Sequence, residues 1–188
     1  SIARVFRVPL LLLVFYSPFA GKNLMCAMIF AIASLTDFVD GYLARRWKIS
    51  SPFGAFIDPV ADKFMVATAL VMLSMGHSGQ PIDVALPTSL TLSREIGVSA
   101  LREWMAQAGA RDSVAVGMMG KWKTALQMIA ITGLLLALPD STVRMGSVYL
   151  PSIVTLWVST VLALLSGYQY FKAAWPYLSG ERKPDGET

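Results

Sequence analysis

Six long apolar blocks dominate this chain, and they leave it few ways to fold. One reads LMCAMIFAIASL over residues 24–35 and another FMVATALVMLSM over residues 64–75. Together the blocks cover roughly 4–20, 24–45, 56–75, 82–105, 115–138 and 147–173. A helix rises about 1.5 Å per residue, so about 20 residues cross a hydrocarbon core of about 30 Å. In lipid every backbone N–H and C=O needs a partner within its own segment, so such blocks are expected to be helices. Composition agrees. The chain is 55% hydrophobic and 15% charged, against about 25% charged in an ordinary soluble domain. Its mean hydropathy is +0.56. The expected fold class is all-α, an integral membrane bundle of six transmembrane helices.

Turn chemistry separates the blocks: Ser17-Pro18 with Gly21, Ser50-Ser51-Pro52 with Gly54, Gly76 to Pro81, Gly109, and Pro139-Asp140-Ser141. Residues 1–175 form one expected membrane domain, and 176–188 a polar tail. No cleavable signal peptide stands out. The basic residues flank apolar blocks and form no stripe, which argues against nucleic acid as a partner. If the segments alternate, Arg4, Arg7, Arg45, Arg46, Lys48, Arg102, Arg111, Lys172, Arg182 and Lys183 share one side, and Lys22 and Arg144 the other. The rich side is expected to be cytoplasmic. Trp47, Trp104, Trp122 and Trp175 fall near that boundary as belt or packing residues. Cys26 is expected to be a core residue, and His77 to be non-catalytic.

Against this background, residues 36–63 hold four aspartates: Asp37, Asp40, Asp58 and Asp62. Asp37, Asp40, Gly41 and Ala44 share one helical face by spacing, and Asp58 and Asp62 share a face of the next helix. A short connection is expected to make these helices antiparallel neighbours with converging faces, lining a polar cleft toward the cytoplasm. Four carboxylates in low dielectric must protonate, pair with basic side chains, or be filled with cations. Two divalent ions would balance the charge. Oxygen-only ligands without a nearby His or Cys point to Mg²⁺ or Mn²⁺. Two such ions suit phosphoryl-type displacement. Gly41, Ala44 and Gly54 leave room for a ligand or for tight helix packing.

The stretch DFVDGYLARRWKISSPFGAFIDPVAD, residues 37–62, resembles the signature of the CDP-alcohol phosphatidyltransferase family. It carries Asp37, Asp40-Gly41, Ala44-Arg45, Gly54, Asp58 and Asp62 at the family's spacing. The resemblance implies a CDP-linked lipid donor, divalent metal and release of CMP. It implies that Asp37, Asp40 and Asp58 bind metal, and that Asp62 binds metal and serves as the base. Gly41, Ala44, Arg45 and Gly54 would hold the CDP moiety. It also makes a homodimer the expected assembly and the bacterial inner membrane the expected location.

The acceptor alcohol should leave its own mark. Arg94 lies within an apolar segment, where charge is costly. By spacing, Arg94 and Arg102 can point into one cavity, and Lys121 adds a third cation, with Lys123 and Thr124 close by. Such a cluster fits a phosphate-bearing acceptor. The bland alternative is snorkelling with internal ion pairs, such as Arg94 with Glu95. The stretches LSREIGVSALREWMA and GKWKTALQM resemble family members whose donor is CDP-diacylglycerol and whose acceptor is sn-glycerol 3-phosphate. Those members usually carry a short Asn/Pro-containing amphipathic stretch before the first membrane helix, whereas the sequence here opens directly with SIARVFRVPL, a departure from the resemblance. Competing readings are another acceptor (phosphatidylglycerol, inositol phosphate or serine), a divalent-cation transporter, and a prenyl-diphosphate enzyme using Asp-x-x-Asp.

Overall fold

A computed structural model describes residues 2–47, 52–76, 81–110, 118–138 and 145–180. Among them are six α-helices and no strand: α1 (Ile2–Tyr16), α2 (Lys22–Trp47), α3 (Pro52–Gly76), α4 (Pro81–Gln107), α5 (Met118–Leu136) and α6 (Met145–Leu178). Each matches one apolar block to within a few residues. Helices α3 and α4 open on Pro52 and Pro81, where the missing N–H would have had no partner anyway. Helix α4 stops at Gly109, whose φ is 71°. There Gly109 N–H donates to Ala106 O at 3.2 Å and Ala110 N–H to Met105 O at 2.9 Å. That pair of bonds is a Schellman stop, which needs a left-handed residue at that position. Met105 and Ala110 are both buried, so the apolar contact that accompanies such a stop is present too.

The main core gathers Leu11 of α1, Phe30 of α2, Leu70 and Leu73 of α3, Ile131 and Leu134 of α5, and Leu156 of α6. Cys26 lies in the same core, fully buried. Large apolar side chains also cover the outside. Ile32 is 64% exposed, Ile129 63% and Val154 60%. A water-soluble bundle would place polar residues on that face.

Among the described residues, one helix is both long and apolar enough to cross a membrane by itself, Ser147–Leu178. Phe6–Tyr16 and Trp122–Leu136 are apolar but shorter. Helices α2, α3 and α4 are 26, 25 and 27 residues long, and each also carries charged residues. Helix α6 continues past residue 175 without a break to Leu178. The residues from 181 onward, His77 and Arg111 lie outside the described residues.

One expectation needs correction. Helices α2 and α3 are joined through residues 48–51, yet among the described residues they do not pack on each other. Helix α1 packs on both, and so does α5. Short connection therefore does not mean direct packing here. Among the described residues, α1 and α5 are the neighbours that α2 and α3 share.

Candidate functional site

The four aspartates are carried by α2 (Asp37, Asp40) and α3 (Asp58, Asp62). Gly41, Ala44 and Arg45 lie in the last turns of α2, and Gly54 in the first turn of α3. All therefore fall around the α2–α3 connection, as their spacing predicts. The side chains of Asp40, Arg45 and Asp58 lie outside the described residues. Asp37 and Asp62 are both partly buried. Among the described residues no three His, Cys, Asp or Glu side chains come together. The donor set fits a hard divalent cation: four carboxylates from two helices, and Cys26 buried in the core away from them.

Asp37 has a partner that spacing could not reveal. Arg7 of α1 donates from Nη1 to Asp37 Oδ1 at 2.6 Å and to Ala33 O at 3.3 Å. Of the three ways to offset a carboxylate, pairing with a basic side chain is realised here. The bond ties α1 to the acidic end of α2.

Beyond Asp62 the chain leads straight into a second polar system. Lys63, the next residue of α3, donates to Ser99 Oγ on α4. Ser99 Oγ donates to Glu95 O one turn back, at 2.6 Å. The Glu95 carboxylate accepts from Lys123 Nζ on α5 and from Arg94 Nη1 at 2.8 Å. Arg94 reaches α6 as well, from Nε to Ala163 O at 3.0 Å and from Nη2 to Ser166 Oγ at 3.1 Å. Its guanidinium also stands over the Tyr170 ring, 5.8 Å from the centroid. Gly167 lies close against this crossing: a Cβ there would sit 3.1 Å from Arg94 Cγ, so the arginine would have to shift slightly. Helices α3, α4, α5 and α6 are thus linked through one set of charged and hydroxyl groups.

The predicted acceptor residues divide. Arg94 and Lys123 are brought together through Glu95, and both side chains are nearly buried. Arg102 is exposed, two turns further along α4. The cavity that Arg94 lines does not include it. That cavity, of about 630 Å³, is an apolar groove between α4 and α6 bordered by Gly97, Leu101, Trp104, Leu164 and Phe171. Lys121 lies in the first turn of α5, but its side chain is outside the described residues. Thr124 is exposed, with its hydroxyl donating to Gly120 O at 3.0 Å. Trp104, Trp122 and Trp175 are all exposed.

Sequence reasoning missed Arg7, Lys63, Ser99 and Ser166, and treated Glu95 only as a partner for Arg94. One signal was available. Thr91, Glu95 and Ser99 recur every four residues along α4, a polar stripe on one face.

A model of the family described as CDP-alcohol phosphatidyltransferase matches residues 1–165. The chain belongs to the CDP-alcohol phosphatidyltransferase family. Among its curated relatives, a protein of Yersinia pestis (strain Pestoides F) is 47% identical over 93% of this chain and 92% of its own length. One from Sodalis glossinidius is 47% identical over 93% of this chain and 91% of its own. One from Pectobacterium atrosepticum is 45% identical over the same shares. All three are named CDP-diacylglycerol–glycerol-3-phosphate 3-phosphatidyltransferase. Membership in this family covers α1 to α5 and the greater part of α6.

Proposed function

We propose that this chain transfers the phosphatidyl group of CDP-diacylglycerol to sn-glycerol 3-phosphate, forming phosphatidylglycerophosphate and CMP. The observation that carries the reading is the acidic signature of residues 37–62, shared between α2 and α3 on either side of their connection. The relatives named above bear the name of this reaction along nearly their whole length.

Asp37, Asp40, Asp58 and Asp62 are the residues that would hold two divalent ions, Mg²⁺ or Mn²⁺. Bound there, such ions supply charge stabilisation to the phosphoryl oxygens and the departing CMP. Gly41, Ala44, Arg45 and Gly54 take the CDP moiety. Asp62 accepts the proton of the attacking hydroxyl. The acceptor's phosphate is bound by Arg94, Lys121 and Lys123, with Arg102 and Thr124 at the approach. The bonds from Lys63, next in sequence to Asp62, to Ser99 and from Ser99 to the Glu95 carbonyl support this, because they link the helix that carries Asp62 to the helix that carries Arg94. The hydroxyl displaces CMP directly: it forms the new bond to phosphorus as the bond to CMP breaks.

The bundle spans the bacterial inner membrane six times, with the acidic cleft facing the cytoplasm. The exposed apolar surface and the exposed Trp104, Trp122 and Trp175 support that placement. Residues 1–175 act as one unit, and the working assembly is a homodimer.

The test is CMP release by purified protein from CDP-diacylglycerol with a panel of alcohols. Glycerol 3-phosphate is expected to support turnover, while glycerol, serine, inositol phosphate and phosphatidylglycerol do not. Preferred use of any of those four would reassign the acceptor.

A further inference from the structure

Three cations and one carboxylate meet where α3, α4 and α5 come together. Lys123 and Arg94 both bond to Glu95. Lys63 is near enough to act on Glu95 through its charge. The four groups sum to two positive charges, the complement of a phosphate monoester above its second ionisation near pH 6, to a rough approximation. The donors are not used up. The ammonium of Lys123 gives one of its three N–H groups to Glu95 and the guanidinium of Arg94 gives three of its five to Glu95, Ala163 and Ser166, among the described residues. What remains is held in place, because Glu95 ties Lys123 on one helix to Arg94 on another.

We propose that Glu95 is a positioning residue for the acceptor: it fixes Lys123 and Arg94 as a preformed cradle for the phosphate of a phosphorylated alcohol, without itself touching the reacting atoms. The inference rests on the reaction proposed above and deepens it. A flexible lysine and arginine would each lose side-chain freedom on meeting a phosphate. Held by Glu95, they have lost most of it before the acceptor arrives. The same carboxylate limits the excess charge, so the cradle together with Lys63 matches a dianion and does not retain anions at large.

The experiment is a double-mutant cycle read in steady-state kinetics: wild type, Glu95→Gln, Lys123→Met and Glu95→Gln/Lys123→Met, each with glycerol 3-phosphate and CDP-diacylglycerol varied in turn. Glu95→Gln is expected to raise KM for glycerol 3-phosphate about tenfold or more and to change kcat and the CDP-diacylglycerol KM less than about threefold. In the Lys123→Met background the same substitution is expected to raise KM at least about threefold less, because its effect runs through Lys123. Glu95→Asp, which keeps the charge on a shorter arm, is expected to recover part of the loss. Equal increases in both KM values, full additivity in the cycle, or no recovery with Asp would overturn the proposal. So would a Glu95→Gln protein that fails to fold while the double variant folds, since that would make Glu95 only a counter-ion for Lys123. Absence of CMP release by the wild type with glycerol 3-phosphate would instead sink the proposed reaction, so the two failures are told apart.

Discussion

At the scale of single residues, Asp62 is the side chain on which the proposed chemistry turns. It belongs to the acidic signature and stands next to Lys63, whose bond to Ser99 leads into the cationic cluster. Asparagine keeps its shape and loses its basicity. Asp62→Asn is expected to keep the elution profile and melting temperature of the wild type and to lose about a hundredfold or more in kcat for CMP release. Near-normal turnover in that variant would move the base elsewhere. Aspartates, glycines and their spacing were legible in the sequence, because i, i+3 and i, i+4 relations within one helix are fixed by its pitch. Arg7 with Asp37 was not legible. Thirty residues separate them, and only the way α1 lies on α2 brings them together. The Arg94–Glu95 pair was visible because the two are neighbours in sequence. The bonds from Arg94 to Ala163 and Ser166 depend on how α6 is rotated.

At the scale of elements, the contact between α5 and α6 is the most extensive among the described residues, and small residues set its closeness. A Cβ at Gly133 would lie 2.1 Å from Ser152 Oγ and 3.1 Å from Ser152 Cβ. Ser152 is buried, and its hydroxyl donates to Val148 O at 2.7 Å. Gly133→Leu must therefore push the two helices apart, at a cost of about 1–3 kcal/mol. Gly97 is the contrasting case, because a Cβ there meets nothing within 4 Å. Gly97→Ala is expected to leave stability unchanged or raise it by up to about 1 kcal/mol. Thermal unfolding in detergent compares the two directly; equal loss in both would contradict the packing described. The helices themselves were legible from apolar block length and from Gly and Pro punctuation. Their neighbours were not. Joining through residues 48–51 suggested that α2 packs on α3, whereas α1 and α5 serve as the common supports. Loop length limits how far apart two helix ends lie, and leaves the rest of their surfaces free to choose other partners.

At the scale of the whole molecule, charge and apolar surface are segregated. Apolar side chains cover both the core and much of the outside. Charged groups pair with one another: Arg7 with Asp37, and Lys63, Arg94 and Lys123 around Glu95, with Arg94 and Lys123 nearly buried and Lys63 exposed. The proposed transfer needs two such parts, an acidic one for the metals and the diphosphate and a cationic one for the acceptor's phosphate. The most direct test of this account is CMP release by the purified wild-type protein in excess chelator, followed by titration with Mg²⁺ or Mn²⁺ while bound ions are counted. The account predicts that turnover with glycerol 3-phosphate vanishes in chelator and returns as two ions bind per chain. Undiminished turnover in chelator, or unchanged ion binding after replacing Asp58 and Asp62 together by Asn, would contradict it.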